Sequence, residues 1–282
     1  MALTLRGNGQ VSSDNYGIDS DGSITATGIT STGNVGINRS TPQSKFEVWT
    51  GNGELSHFGS NNANATNNYT GISLGYAEAG ANSNYRKVGI VAVGRADGAA
   101  RQDLAFLVDS NSDGNSVDLG DTKMRISHEG YVTTPSQPSF IAKTNSTFNY
   151  TGGTGYQTIT NFGNAILNRS NSYNTSNSTF TAPVTGHYHF NFQLLLMNVD
   201  TGDDSIHISF VQNAAQQIYG NIRSPGSAAN SVVGYGQYLP VVGVGDMYMS
   251  ANDTLQIKLS STGSMGVYSG PDWGRFSGHL IG

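Results

Sequence analysis

The chain has 282 residues, of which 12% are charged, 37 are Gly and none is Cys. The missing cysteines exclude a disulfide framework or thiolate metal centre, and a net charge of −5 with 14 scattered Lys and Arg argues against a nucleic-acid binder. No run approaches the roughly 18 apolar residues of a membrane-spanning helix, and no window keeps the i, i+3, i+4, i+7 spacing of an amphipathic one, so an almost entirely β chain is expected.

Residues 1–40 offer short apolar beats, GQV, YGI, GSI, TGI and GNVGI, separated by Gly, Asn and Asp. Strands of two or three residues bury too little to offset their ordering entropy alone. Three parallel copies around one axis would bury Val11, Ile18, Ile24, Ile29, Val35 and Ile37 against each other. In NVGINRSTPQSKFEV (34–48), Val35 and Ile37 form one beat, Pro42 ends it, and Phe46 and Val48 open an alternating strand. ISLGY (72–76), VGIVAV (88–93), DLAFLV (103–108), TKMRI (122–126) and GYV (130–132) then read as the strands of a small unit. Pro135 and Pro138 stiffen the junction that follows.

The remainder opens with SFIAK, TITNF and AILN as strands. In FTAPVTGHYHFNF (180–192) and its continuation, Tyr188, Phe190, Phe192 and Leu194 alternate with His187, His189, Asn191 and Gln193. A period of two puts the apolar set on one face of a half-buried strand. SIHISFVQN, QIYGNI, SVVGYGQYLPVV, TLQIKLSS and GRFSGHLIG supply the later strands. Ile206, Ile208 and Phe210 share one parity, as do Leu255, Ile257 and Leu259, so each strand has a core face. Pairing of 188–196 with 205–212 around the loop near 201 would set His207 near Leu194 and away from His189. Short, evenly spaced strands with turn signals predict a sandwich.

Few constellations carry chemistry. DSNSDGNSVDLGD (109–121) places Asp109, Asn111, Asp113 and Gly114 at the first, third, fifth and sixth positions of a calcium loop. The twelfth position is Gly120 instead of Glu, and the flanks read as strands, which favours a polar hairpin loop. Asp200, Asp203 and Asp204 form a second acidic turn with a partial ligand set for calcium. There is no Gly-x-Ser-x-Gly elbow, His-Glu-x-x-His or P-loop, and no enzymatic activity is expected. Fourteen Tyr and two Trp on a weakly charged chain suit sugars, whose C–H faces stack on aromatic rings. Tyr235, Tyr238 and Trp273 lie in Gly- and Pro-rich loops, and with Tyr219 and Asp272 they are the candidate receptor contacts.

AILNRSNSYN (165–174), the 180–192 run, DTLQIKL (253–259) and the terminal FSGHLIG (276–282) together resemble the complement C1q-like globular-head family. NVGINRSTPQSKFEV resembles an element common in bacteriophage tail fibres, with Asn38 in place of the usual Gly and Phe46 in place of Leu. TKMRISHEGYVTTPSQPSF resembles the segment that precedes the head in phage fibres, notably those of cyanophages. These resemblances imply an all-β, elongated homotrimeric fibre. Residues 1–45 would attach to other phage tail proteins and trimerise, 46–134 would form a β-rich spacer, and 135–282 a jelly-roll head related to the tumour-necrosis-factor fold. They imply a virion protein that meets a host-surface glycan or protein, without nucleic-acid or membrane partners. Some heads of that family hold calcium at the trimer apex, although those ligands do not map here residue by residue. The start, MALTLRGNGQ, lacks the apolar run of a secretory leader, which suits assembly on a particle and release by lysis. A collar, adaptor or decoration knob that meets no receptor is the alternative, and a glycan depolymerase a more distant one.

Overall fold

The computed structural model describes residues 34–39, 41–53, 55–59, 65–75, 85–97, 100–199, 205–214, 238–270 and 272–282. The apolar beats before residue 34, QIYGNI, Tyr219, Tyr235, Asp200, Asp203 and Asp204 lie outside them. Among the described residues the only helical turn is the 3-10 turn Leu119–Asp121, and the rest is strand and loop. The chain divides into two compact units, Met1–Phe58 and Gly59–Gly282.

In the first unit, β1 (Val35–Ile37) and β2 (Phe46–Val48) pair in parallel, with Val35 opposite Phe46 and Ile37 opposite Val48. Asn38 follows β1 at φ 57°, the left-handed region that Gly enters freely and Asn tolerates best among the other residues. An Asn at this position is therefore conformationally mild. Arg39 lies 3.8 Å from the centroid of the Trp49 ring and pairs with Glu47, tying the return strand to the turn.

The second unit begins with β3 (Tyr69–Leu74), β4 (Val88–Gly94), β5 (Gln102–Val108), β6 (Thr122–Ile126) and β7 (Val132–Thr133). These form one antiparallel meander in chain order. One face buries Val91, Val93, Ala105 and Leu107, with Val117 of the β5–β6 connection packed among them. Asp103, 3% exposed, sits on this face. It accepts hydrogen bonds from Arg125 Nε at 2.8 Å, the His128 backbone N–H at 2.9 Å and Arg95 at 3.2 Å.

The head follows as β8 (Ser139–Lys143), β9 (Phe148–Tyr150), β10 (Gln157–Thr158), β11 (Asn164–Arg169), β12 (Tyr173–Asn174) and β13 (Thr179–Thr181). It continues through β14 (Gly186–Met197), β15 (Ile206–Gln212), β16 (Leu239–Met249), β17 (Thr254–Ser261), β18 (Met265–Val267) and β19 (Arg275–Leu280). One sheet runs β11-β8-β19-β14, with β16 on the free edge of β14 and β18-β9 continuing beside its far end. The other is built on β17, flanked by β15 on one edge and by β13 and β10 on the other, with β12 beyond β13. All pairings in the head are antiparallel, and the two sheets close a jelly roll over a common core.

That core is aromatic. Tyr188, Phe190, Phe192, Leu194 and Leu196 of β14 are fully buried and face Ile206, Ile208 and Phe210 of β15 and Leu255, Ile257 and Leu259 of β17. Phe140 stacks on Tyr173 at 4.5 Å and meets Phe276 edge-on at 4.7 Å. Gly278, within the terminal FSGHLIG, leaves the space these rings fill: a Cβ there would stand 2.3 Å from Phe190 and 2.9 Å from Phe140.

The structure corrects two expectations. β14 pairs with β16 and β19 instead of β15, so His207 lies opposite Ser260 in the second sheet and not near Leu194. The reason is core closure: β15 supplies its apolar side chains from the sheet opposite β14, and only β16 is long enough to match β14 along its edge. The strand read as SVVGYGQYLPVV is β16, beginning at Leu239 and running on through GVGDMYM. Its Gly243 lies opposite Phe192, where a Cβ would come 2.2 Å from the ring.

Candidate functional site

Of the five candidate receptor contacts, three lie among the described residues and sit in two loops of the head. Tyr238 precedes β16, while Asp272 and Trp273 form the turn before β19. Tyr268, which the sequence reading passed over, links them. Its ring meets Tyr238 edge-on at 5.8 Å, and both Tyr268 and Trp273 lie against Gly270. A Cβ at Gly270 would stand 2.7 Å from Tyr268 and 2.4 Å from Trp273. Glycine thus lets two rings approach one backbone position, with Tyr238 beside them. Tyr238 and Trp273 are both exposed. Asp272 adds a solvent-facing carboxylate, 3.4 Å from Lys143 Nζ. Aromatic faces flanked by one acid and one base can stack a sugar ring and bond its hydroxyls. Tyr268 follows the three-residue strand MGV, which gave no sequence signal that its ring would stay at the surface.

A second surface is the outer face of the β8-β19-β14-β16 sheet. Across it Asp246, His189, His279 and Ser139 form one cross-strand row, and Val244, Asn191, Ser277 and Ile141 the next. His189 Nδ1 lies 2.6 Å from Asp246 Oδ1, the His189 and His279 rings are 5.3 Å apart, and His187 packs edge-on to Tyr248. The Ser277 hydroxyl donates to Asn191 Oδ1 at 2.9 Å. Toward the β16 edge the face turns apolar: Val242 is 66% exposed, and Val244 and Tyr248 are bare as well. Sequence parity marked His187 and His189 as outward; their partners on β16 and β19 required the register.

The loop of Asp109, Asn111 and Asp113 brings its two carboxylates together around Lys87. Lys87 Nζ lies 2.5 Å from Asp109 Oδ2 and 2.8 Å from Asp113 Oδ1. Asp109 Oδ1 accepts the Asn111 backbone N–H, and Asp113 Oδ1 that of Asn115, while the Asn111 side chain joins neither. Hydrogen bonds from the ammonium hold both carboxyls below the usual carboxylate range and raise the lysine. Asp118 and Asp121 line the same hollow of about 300 Å³ but are engaged in capping the 3-10 turn. A cation bound between Asp109 and Asp113 would have to displace Lys87. Among the described residues no group of three His, Cys, Asp or Glu is arranged to hold a metal ion.

Residues 139–233 match the family model for the C1q domain. Among solved structures, the chain is similar to murine APRIL at 10% identity and a TM-score of 0.38, covering 51% of this chain and 99% of that one. It is similar to the globular domain of zebrafish complement 1qA at 14% identity and a TM-score of 0.32, covering 52% and 98%. Eiger TNF from S. frugiperda gives 10% identity and a TM-score of 0.35, covering 52% and 94%. No curated protein matches the chain.

Proposed function

We infer that the chain is a trimeric phage tail-fibre or appendage protein whose C1q-like head binds a host-surface receptor, with glycan as the favoured class. The observation that carries the reading is the aromatic cluster of exposed Tyr238 and Trp273 with half-buried Tyr268, beside Asp272 and Lys143. Tyr219 and Tyr235 are assigned to the same contact from sequence. The reading also rests on the fibre-like elements at 34–48 and 122–140. Residues 1–45 serve attachment and trimerisation, 46–134 the spacer, and 135–282 the head. The bare Val242 and Val244 on β16, with Tyr248 beyond Asp246, support self-association of heads, since exposed apolar positions are hidden most readily by a second copy of the same surface. The mechanism is adhesion without bond chemistry. Weak contacts from three heads gain effective concentration once one of them binds. Calcium remains a proposed ligand of the Asp109, Asn111 and Asp113 loop and of Asp200, Asp203 and Asp204. Calorimetry tests the first: heat that Asp113→Ala abolishes supports it, and no heat ends it.

Fluorescently labelled chain, mixed with candidate host cells, is expected to stain them and to compete with phage adsorption. Trp273→Ala should weaken staining at least tenfold, because losing one stacking ring costs about 1 kcal/mol or more per head and the loss multiplies over three. Chain that neither stains cells nor competes would favour the collar, adaptor or knob reading. Release of reducing sugar from host envelope would point to a depolymerase instead.

A further inference from the structure

The middle sheet has two unlike faces. The first carries its small core, Val91, Val93, Ala105, Leu107 and Val117, and the Asp103 network. The second is largely apolar, with Thr70 on β3 and Gln102 at one end of β5 as its polar positions. In register, Leu74, Val88 and Val108 form one row, and Ile72, Ile90, Phe106 and Met124 the next. Thr70, Ala92, Leu104, Ile126 and Val132 form the third. No row contains a charge. Leu74 is 57% and Val132 58% exposed, and Ile72, Val88, Ile90, Leu104 and Val108 are bare as well.

Strands about 4.8 Å apart, with same-face residues repeating about every 6.8 Å, give this grid a plan area on the order of 400 Å². That is about the size of the largest apolar patch on an ordinary monomer, a patch that is often functional. It is about half of the roughly 800 Å² of accessible surface that each partner buries in a stable complex. We propose that this face is a second self-association surface, on which the middle sheets of three copies of this chain pack against one another around a shared axis. The inference rests on the trimeric reading above for its number of copies.

Two observations favour another copy of this chain over a different partner. The three rows carry no charge, and Thr70 is their one polar side chain, so the surface that complements them best is one equally flat and apolar, which every copy carries. Only residues 134–138 separate β7 from β8. Five extended residues span at most about 18 Å, so heads held together keep their middle sheets at millimolar effective concentration. An interface too small to assemble alone then forms, and the bare rows leave water.

The chain has no cysteine, so an introduced one reports cleanly. Full-length Ile90→Cys, treated with a short bismaleimide at micromolar concentration, is expected to cross-link between chains in high yield. Ser73→Cys, on the opposite face of β3, is expected to remain unlinked. Sedimentation of the same samples gives the number of copies. Trimers in which Ile90→Cys fails to link, or links no better than Ser73→Cys, overturn this proposal and leave the trimeric reading standing. Monomers overturn both. As a second variant, Ile90→Lys should keep the head folded but raise dye binding to exposed apolar surface; no rise in dye binding contradicts the proposal.

Discussion

Asp103 governs the acid response of the middle sheet. Burial pushes its carboxyl up, but the hydrogen bonds from Arg125, the His128 backbone and Arg95 outweigh burial and hold it below the usual carboxylate range. A carboxyl lower in the folded chain than in the unfolded one adds stability above its ordinary value. That stability is lost as pH falls through the ordinary value, near 4, toward the folded one. Asp103→Ala should therefore cost about 1–2 kcal/mol near neutral pH, since it removes the charged hydrogen bonds of two guanidinium groups that are about one-third exposed and regain water. The cost should shrink below pH 4, where the natural chain loses the same contribution. Urea midpoints at pH 7 and pH 3 give both numbers, and an equal cost at the two would contradict the assignment. In the head, Phe190→Ala should cost about 3–5 kcal/mol, because its ring touches Phe140, Phe180 and Phe210 and nothing nearby can collapse into its place. Thermal melting checks this against the far smaller effect expected of the outward Gln193→Ala.

At the scale of elements, β14 was legible because its apolar residues keep a strict period of two, and that period alone fixed which side chains are buried. β17 and β15 were legible for the same reason. β16 was legible only over 239–242. The sequence reading stopped before Gly243, which is present because the Phe192 ring occupies the space of a side chain. Such a glycine answers to a partner about fifty positions earlier in the chain, a fact no local window contains. The pairing of β14 with β16 was hidden likewise, since it depends on which sheet β15 joins. Of the candidate site, Tyr238, Asp272 and Trp273 stood out as aromatic or acidic residues in glycine-rich loops. Tyr268 did not, because only tertiary contact brings it between them. Gly243→Leu tests this account of β16. Forcing a side chain into the Phe192 ring should cost about 1–3 kcal/mol, read from the denaturant midpoint. A neutral result would mean that the ring has room to move.

The whole molecule combines a head with a closed core and two surfaces that a single copy leaves bare. The head buries its apolar residues without help, so it is expected to stay folded as an isolated subunit. The middle sheet has a much smaller core and an exposed apolar face, so its stability should depend on assembly. Heating full-length chain at increasing dilution should lower the melting temperatures of both, that of residues 69–133 by more. Hydrogen exchange during the melt separates the two. Concentration-independent melting of both would mean that neither surface is used. The most direct measurement is sedimentation equilibrium on the full-length chain at micromolar concentration. A mass three times the 29.7 kDa of one chain is the predicted result; a well-folded species of 29.7 kDa would contradict the account.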